Sequence, residues 1–347
     1  MDVDLGDARS ILAGVGAGVI VLLALYAFVG VEAVLSALSG ADPAVVALVS
    51  VVSVGWLFAW GMALRTVLSV IAVEVSVWRA FLLLSGATFA NNITPFGQAG
   101  GEPFSALLVS RSTDTEYENG LAAVASVDTL NFVPSITFAL LGVGYYATRF
   151  TVGDRMEVAA VALFALALAV PAVAYFGWRN RYRVSDIAVR TAVSVGRLVG
   201  RVVPRLDPPR ESHVRDRIDG FFAALERVAG DRHQLALALS FSALGWLLLS
   251  VSLWLSLGAL GYWVPLAAAL FIVPLGSVAS ITPLPGGLGG VDAVLILLIV
   301  PVTGVDAGTA AAAAVLHRGA TYLLPVLLGG SATAMLEADN VQRSASD

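Results

Sequence analysis

Apolar runs recur along the chain at 11–30, 44–64, 119–146, 156–177, 235–259 and 308–335. Each suits a helix crossing a hydrocarbon core about 30 Å thick, which takes roughly 20 residues. Two further apolar regions, 80–110 and 265–300, are each broken by Gly, Pro and polar residues. The first break reads NNITPFGQAGGEPF from Asn91, and the second reads SITPLPGGLGGVD from Ser280. Backbone freed by Pro and Gly at membrane depth costs several kcal/mol per group if left in lipid, so both breaks must be buried in protein or line a watery cavity. The pattern predicts an all-α polytopic membrane protein with six full spans and two broken, re-entrant hairpins. The alternative is eight full spans.

Charge sets the orientation. The 347 residues are 58% hydrophobic and 13% charged, and mean hydropathy is +0.86, which leaves no room for a separate soluble domain of ordinary size. All 20 basic residues are arginine, a usage that suggests a GC-rich, salt-adapted prokaryote. Twelve of the 20 lie in the polar segment 178–234, so the positive-inside rule places that segment in the cytoplasm, with both termini, at the cytoplasmic membrane. The chain then divides into a first membrane half (1–177), a basic helical loop (178–234) and a second membrane half (235–347). Arg9, Arg65, Arg79, Arg111 and Arg343 fall on the cytoplasmic side if each broken region enters and leaves on one side. The first hairpin then dips in from the cytoplasm and the second from outside. The acidic leader with Asp2, Asp4 and Asp7 lacks a basic n-region, so 11–30 reads as a retained span rather than a signal peptide.

Within the loop, Arg190, Arg197 and Arg201 share one helix face opposite valines and leucines. Such a face suits anionic lipid headgroups, beside the plainer reading of a topological anchor. Nucleic-acid binding is not indicated, because topology already accounts for the arginines.

The two breaks look related. Each carries Ile-Thr-Pro, a Gly-rich stretch, a Gly pair and a carboxylate: Thr94 and Pro95 match Thr282 and Pro283, the Gly100–Gly101 pair matches Gly289–Gly290, and Glu102 roughly matches Asp292. With opposite entry sides, the match predicts an inverted repeat, the arrangement by which many transporters build a central site. Asn91, Asn92, Gln98, Gly286 and Gly287 complete the polar and flexible set.

At these residues the chain resembles the flippase-like membrane region of lysylphosphatidylglycerol synthases. The Asn-x-x-x-Pro…Gly-Gly-Glu segment, the later Pro-x-Pro-Gly-Gly-x-Gly segment and the basic loop between them carry the resemblance, over roughly residues 10 to 335. It implies movement of a lipid or lipid-linked headgroup between leaflets. The cytoplasmic synthase domain of full-length relatives has no counterpart before Asp347, so an enzyme is not expected. Two departures stand out: no base follows Glu102 before Arg111, and Asp292 stands where glutamate is expected.

Intramembrane ionisable residues are functional candidates by default. Glu102 could attract a cationic headgroup or carry a proton, or else satisfy a helix N-terminus. Asp128 and Asn131, three apart and just ahead of Pro134, share a helix face and could line the same path. His317 and Arg318 interrupt the last span. Arg318 suits a phosphate, or pairs with Asp292 or Asp128. No cysteine is present, no cofactor or metal site is indicated, and the three histidines lack metal-ligand spacing. The leading expectation is therefore lipid translocation with membrane lipid as substrate. The alternatives are a secondary transporter of a small polar solute and a membrane scaffold that recruits a lipid-modifying enzyme.

Overall fold

The structure is a computed structural model describing residues 16, 19–94, 98–149, 229–282 and 284–346, with isolated positions between 176 and 227. The predicted span 156–177, apart from Phe176, the basic amphipathic helix, apart from isolated positions, and both Pro95 and Pro283 lie outside the described residues. Every regular element among the described residues is helical.

In chain order the helices are α1 (Val19–Val29), α2 (Val31–Ser39), α3 (Pro43–Val70), α4 (Val77–Ile93), α5 (Gln98–Thr113) and α6 (Tyr117–Arg149). After the basic segment come α7 (Arg232–Ala259), α8 (Leu266–Val278), α9 (Gly290–Thr303), α10 (Ala307–Arg318) and α11 (Leu324–Ser346), the last two joined by a π-helical turn at Gly319–Leu323. By length and composition five helices could cross a membrane, or six if the bent α1–α2 pair counts as one span. The long helices start where capping chemistry requires. Asp42 and Asp231 each accept two backbone N–H groups of the following turn, and Pro43 occupies the first turn of α3.

Two antiparallel helices, α3 and α7, form the spine. Asp42 N donates to Ala259 O (2.8 Å), Ser53 Oγ meets Ser252 Oγ (3.4 Å), and Trp60 Nε1 donates to Ser242 O (3.3 Å). Small Ser residues along this seam let the backbones approach closely, as membrane helix pairs favour. The seam defines two ends of the bundle. Val70 lies with Arg227, Asp231 and Arg232 at the basic end, and Asp42 lies with Ala259 at the other.

The hairpins can be placed against these ends. α4 starts where α3 finishes, at the basic end, and α5 returns there, because Asn119 at the head of α6 accepts a hydrogen bond from Arg227 (3.5 Å). α8 starts where α7 finishes, at the Asp42 end. α9 returns there too, since α10 begins with Gly308 packed on Ala33 of α2. Each broken region thus enters and leaves at one end of the bundle, and the two do so from opposite ends. The apolar helical stretch Pro285–Thr303, which ends in α9, is one of the five long enough to cross a membrane.

The core sits between α3, α7, α8 and α9, where Leu57, Leu253, Leu257, Phe271, Ile272, Leu295 and Ile299 are buried. The fully buried alanines 310–314 let α10 thread against this core. Large apolar residues such as Val51, Phe58, Leu141, Leu297 and Leu327 face outward, as lipid contact demands.

At Gly30 (φ 105°), where the apolar run 11–30 ends, the chain turns by 85° into α2, a half-exposed helix at the Asp42 end. Glycine takes that left-handed conformation without the Cβ clash that other residues meet.

Candidate functional site

The tips of the two hairpins meet in the centre of the bundle. The Tyr322 hydroxyl donates to Asn92 O at 3.1 Å, and Asn92 Nδ2 approaches Tyr322 O at 3.5 Å. Arg318 Nη2 donates to Gly286 O at 2.9 Å, and the guanidinium lies over the Tyr322 ring, 4.8 Å from its centroid. Gly286 has φ 55°, and a Cβ there would strike the Tyr322 ring and sit 3.1 Å from Asn92 O. Both bridging side chains, Arg318 and Tyr322, flank or belong to the π-helical turn, a local distortion found mostly where a helix serves a site.

The carboxylate of the second motif serves the turn itself. Asp292, buried in the first turn of α9, accepts Gly289 N–H at 2.9 Å through Oδ2, while Oδ1 lies 3.6 Å from Arg318 Nε. Arg318 therefore pairs with Asp292, one of its two expected acidic partners. Gly287 (φ 66°) and Gly289 (φ 79°) make the turn that brings them together.

In the first hairpin, Gly101 rests on the backbone of Asn91, and a Cβ there would come 2.6 Å from Asn91 N and 2.7 Å from its Cα. That close approach holds α4 against α5. Glu102 is the fifth residue of α5 rather than a helix-terminal carboxylate, and its carboxyl lies beside that of Asp128 of α6. Two carboxyl groups held side by side away from water do not readily ionise together.

Between the tips and the spine lies a cavity of about 340 Å³. The first hairpin contributes Thr88, Asn91 and Asn92; α6 contributes Asp128, Asn131, Phe132 and Ser135; the second hairpin contributes Val278, Ser280 and Gly286. His317, Arg318 and Thr321 close one side, and Trp56, Trp60 and Trp246 of the spine form another. These tryptophans pack edge to face, with centroids 5.4 and 5.7 Å apart. His317 is buried, its Nδ1 3.0 Å from Ser252 Oγ. Two of the lining residues, Phe132 and Val278, are 49% and 45% exposed. α6 and α8 touch at Gly142 and Phe271.

Of the residues singled out in the sequence, Asn91, Asn92, Asp128, Asn131, Gly286, His317 and Arg318 line the cavity. Glu102 and Asp292 stand directly behind Asp128 and Arg318. Thr94 donates to Ala90 O at the end of α4, and Thr282 packs beside Gly290, so neither lines the cavity. Gln98 and Gly100 lie in the first turn of α5. The aromatic wall and Tyr322 were missed. Trp56 and Trp60, four apart on one helix face, were the available signal for part of that wall.

Residues 11–329 match the family described as the lysylphosphatidylglycerol synthase TM region. The chain belongs to this family. A UPF0104 membrane protein of Methanothermobacter thermautotrophicus is 30% identical over 93% of this chain and 92% of its own. A second from the same organism is 24% identical over 91% and 92%, and one from Pyrococcus horikoshii is 23% identical over 90% and 93%. The match to this family of membrane regions therefore extends over both broken hairpins and the cavity between them.

Proposed function

We propose that this member of the lysylphosphatidylglycerol synthase TM family moves a lipid, or a lipid-linked headgroup, between the leaflets of the cytoplasmic membrane. The observation that carries the reading is that one cavity is lined both by polar groups of the two hairpins and by the half-exposed apolar side chains Phe132 and Val278. In this reading a headgroup occupies the interior while its chains remain in the bilayer beside Phe132 and Val278. Pockets of small-molecule size run from about 300 Å³ upward, so 340 Å³ suits a headgroup and excludes acyl chains.

The proposed machinery is an inverted pair. Each half runs as a long helix, a broken hairpin and a second long helix, and α3 is antiparallel to α7. The roots of the hairpins are pinned alike, by Arg65 Nε to Val75 O (2.9 Å) and Trp254 Nε1 to Val264 O (2.7 Å). In this scheme alternating access is a rocking of the hairpins about their joined tips. Glu102 and Asp128 exchange the proton they share, Arg318 steadies the second tip and offers its remaining N–H groups to the headgroup, and the basic segment holds anionic lipid at the cytoplasmic face.

Translocation of an acyl-labelled phospholipid in reconstituted vesicles tests this reading. Protein-containing vesicles are expected to exchange leaflets faster than empty ones, and identical rates would contradict it. Rates unchanged in both Glu102→Gln and Arg318→Gln would remove the roles given to those residues.

A further inference from the structure

The short helix α2 divides into three faces. Glu32, Ser36 and Ser39, spaced four and three apart, share one side and are exposed. Val31 and Leu35 share a second side and are exposed as well, although both are apolar. Val34 and Ala37 fall on the third, which packs on the core, and Ala33 beside them lies against Gly308 at the start of α10. A helix seated on protein in water needs only an apolar face inward and a polar face outward. Here a further apolar face, roughly 100° round the helix from the polar one at 3.6 residues per turn, is left uncovered by the described residues.

The position of α2 says what meets that face. α1 runs from the middle of the bundle, where Val21 lies against Gly289 of the second hairpin, to the Asp42 end. The 85° turn at Gly30 then lays α2 across that end. Ile20, Leu23 and Phe28 of α1 are exposed, so exposed apolar side chains run on from α1 through the turn to Val31 and Leu35. Tyr262 and Trp263, exposed just after α7 at the same end, are the residue types that gather where hydrocarbon meets water. Charge adds no attraction to anionic headgroups, because no arginine occurs between Arg9 and Arg65 and Glu32 is acidic. The face suits hydrocarbon chains instead.

We propose that α2 is an interfacial helix, lying in the plane of the bilayer at the end opposite the basic segment. Val31 and Leu35 enter the hydrocarbon chains of that leaflet, Glu32, Ser36 and Ser39 face water, and Val34 and Ala37 rest on the protein. Through Ala33 and Gly308 the helix ties the start of α10, whose last turn carries His317 and Arg318, to the same leaflet. This needs only a membrane around the bundle and stands whether or not the protein moves lipid.

The test uses the full chain in phosphatidylcholine vesicles, as the single variants Val31→Cys, Leu35→Cys, Glu32→Cys and Ser36→Cys, each bearing an environment-sensitive fluorophore. All four side chains are exposed, so the substitutions leave the packed face alone. Labels on the Val31 and Leu35 variants are expected to be quenched about threefold more by lipid spin-labelled near the head of its chain than by iodide present on both sides of the membrane. Labels on the Glu32 and Ser36 variants should show the reverse. Stronger quenching of the Val31 and Leu35 labels by a spin label at the chain terminus would put α2 in the hydrocarbon interior and overturn the proposal. Equal iodide quenching of all four, the mark of a helix in water, would also overturn it. So would protection of the Val31 and Leu35 labels from every quencher, the mark of a protein partner or a second copy of the chain.

Discussion

The two hairpins carry their acids in matching motifs but put them to different use. In the second, Asp292 meets a base and a backbone N–H, and Arg318 in turn holds Gly286 O, so the tip is clasped by one connected set of charge-assisted bonds. In the first, Glu102 meets another acid, Asp128, and the hairpin is held mainly by backbone contact at Gly101. A paired acid and base is a fixture, because separating them strands a charge away from water. A pair of acids is a variable, because its state depends on one proton. The difference assigns the second hairpin to anchorage and the first to change.

The largest effect should come from breaking the clasp. Arg318→Met leaves Asp292 buried without its counter-ion and should cost about 3–5 kcal/mol. Unfolding in detergent would show it, and the double variant with Asp292→Asn should recover part of the loss. Next are the two close approaches. Gly286→Ala, which combines a left-handed backbone with a collision at Tyr322, should destabilise by about 2–3 kcal/mol. Gly101→Ala, colliding only with Asn91, should cost roughly 1–3 kcal/mol, and its damage should fall on the first hairpin in hydrogen exchange. Tyr322→Phe removes the bond between the π-helical turn and the first tip and should cost about 1 kcal/mol. Glu102→Gln should change stability by under about 1 kcal/mol, since an amide can replace the shared proton, yet flatten the pH dependence of translocation. A large loss of stability there would make the acid pair an anchor as well.

Much of this was legible in the sequence. The hairpins were written in the punctuation of Asn91–Glu102 and Ser280–Asp292, and their entry from opposite ends followed from keeping Arg65, Arg79 and Arg111 on one side. The three-residue spacing of Asp128 and Asn131 correctly put both on one face. The pairing of Arg318 was not legible. Asp292 and Asp128 were equal candidates until the turn at Gly286–Gly289 decided which acid came near. The tryptophan wall was hidden for a related reason: Trp56 and Trp246 lie far apart in the chain and meet only through the α3–α7 seam, and an aromatic residue in an apolar helix carries no mark of which way it faces.

A sideways opening between α6 and α8 can be tested directly, because the chain contains no cysteine. With Phe132→Cys and Val278→Cys in one molecule, a bifunctional thiol reagent would bridge the mouth between α6 and α8 in proteoliposomes while lipid exchange is followed. The account predicts that exchange falls to the rate of empty vesicles once the bridge forms, and that either single cysteine treated alike retains activity. Undiminished exchange with the bridge fully formed would contradict it.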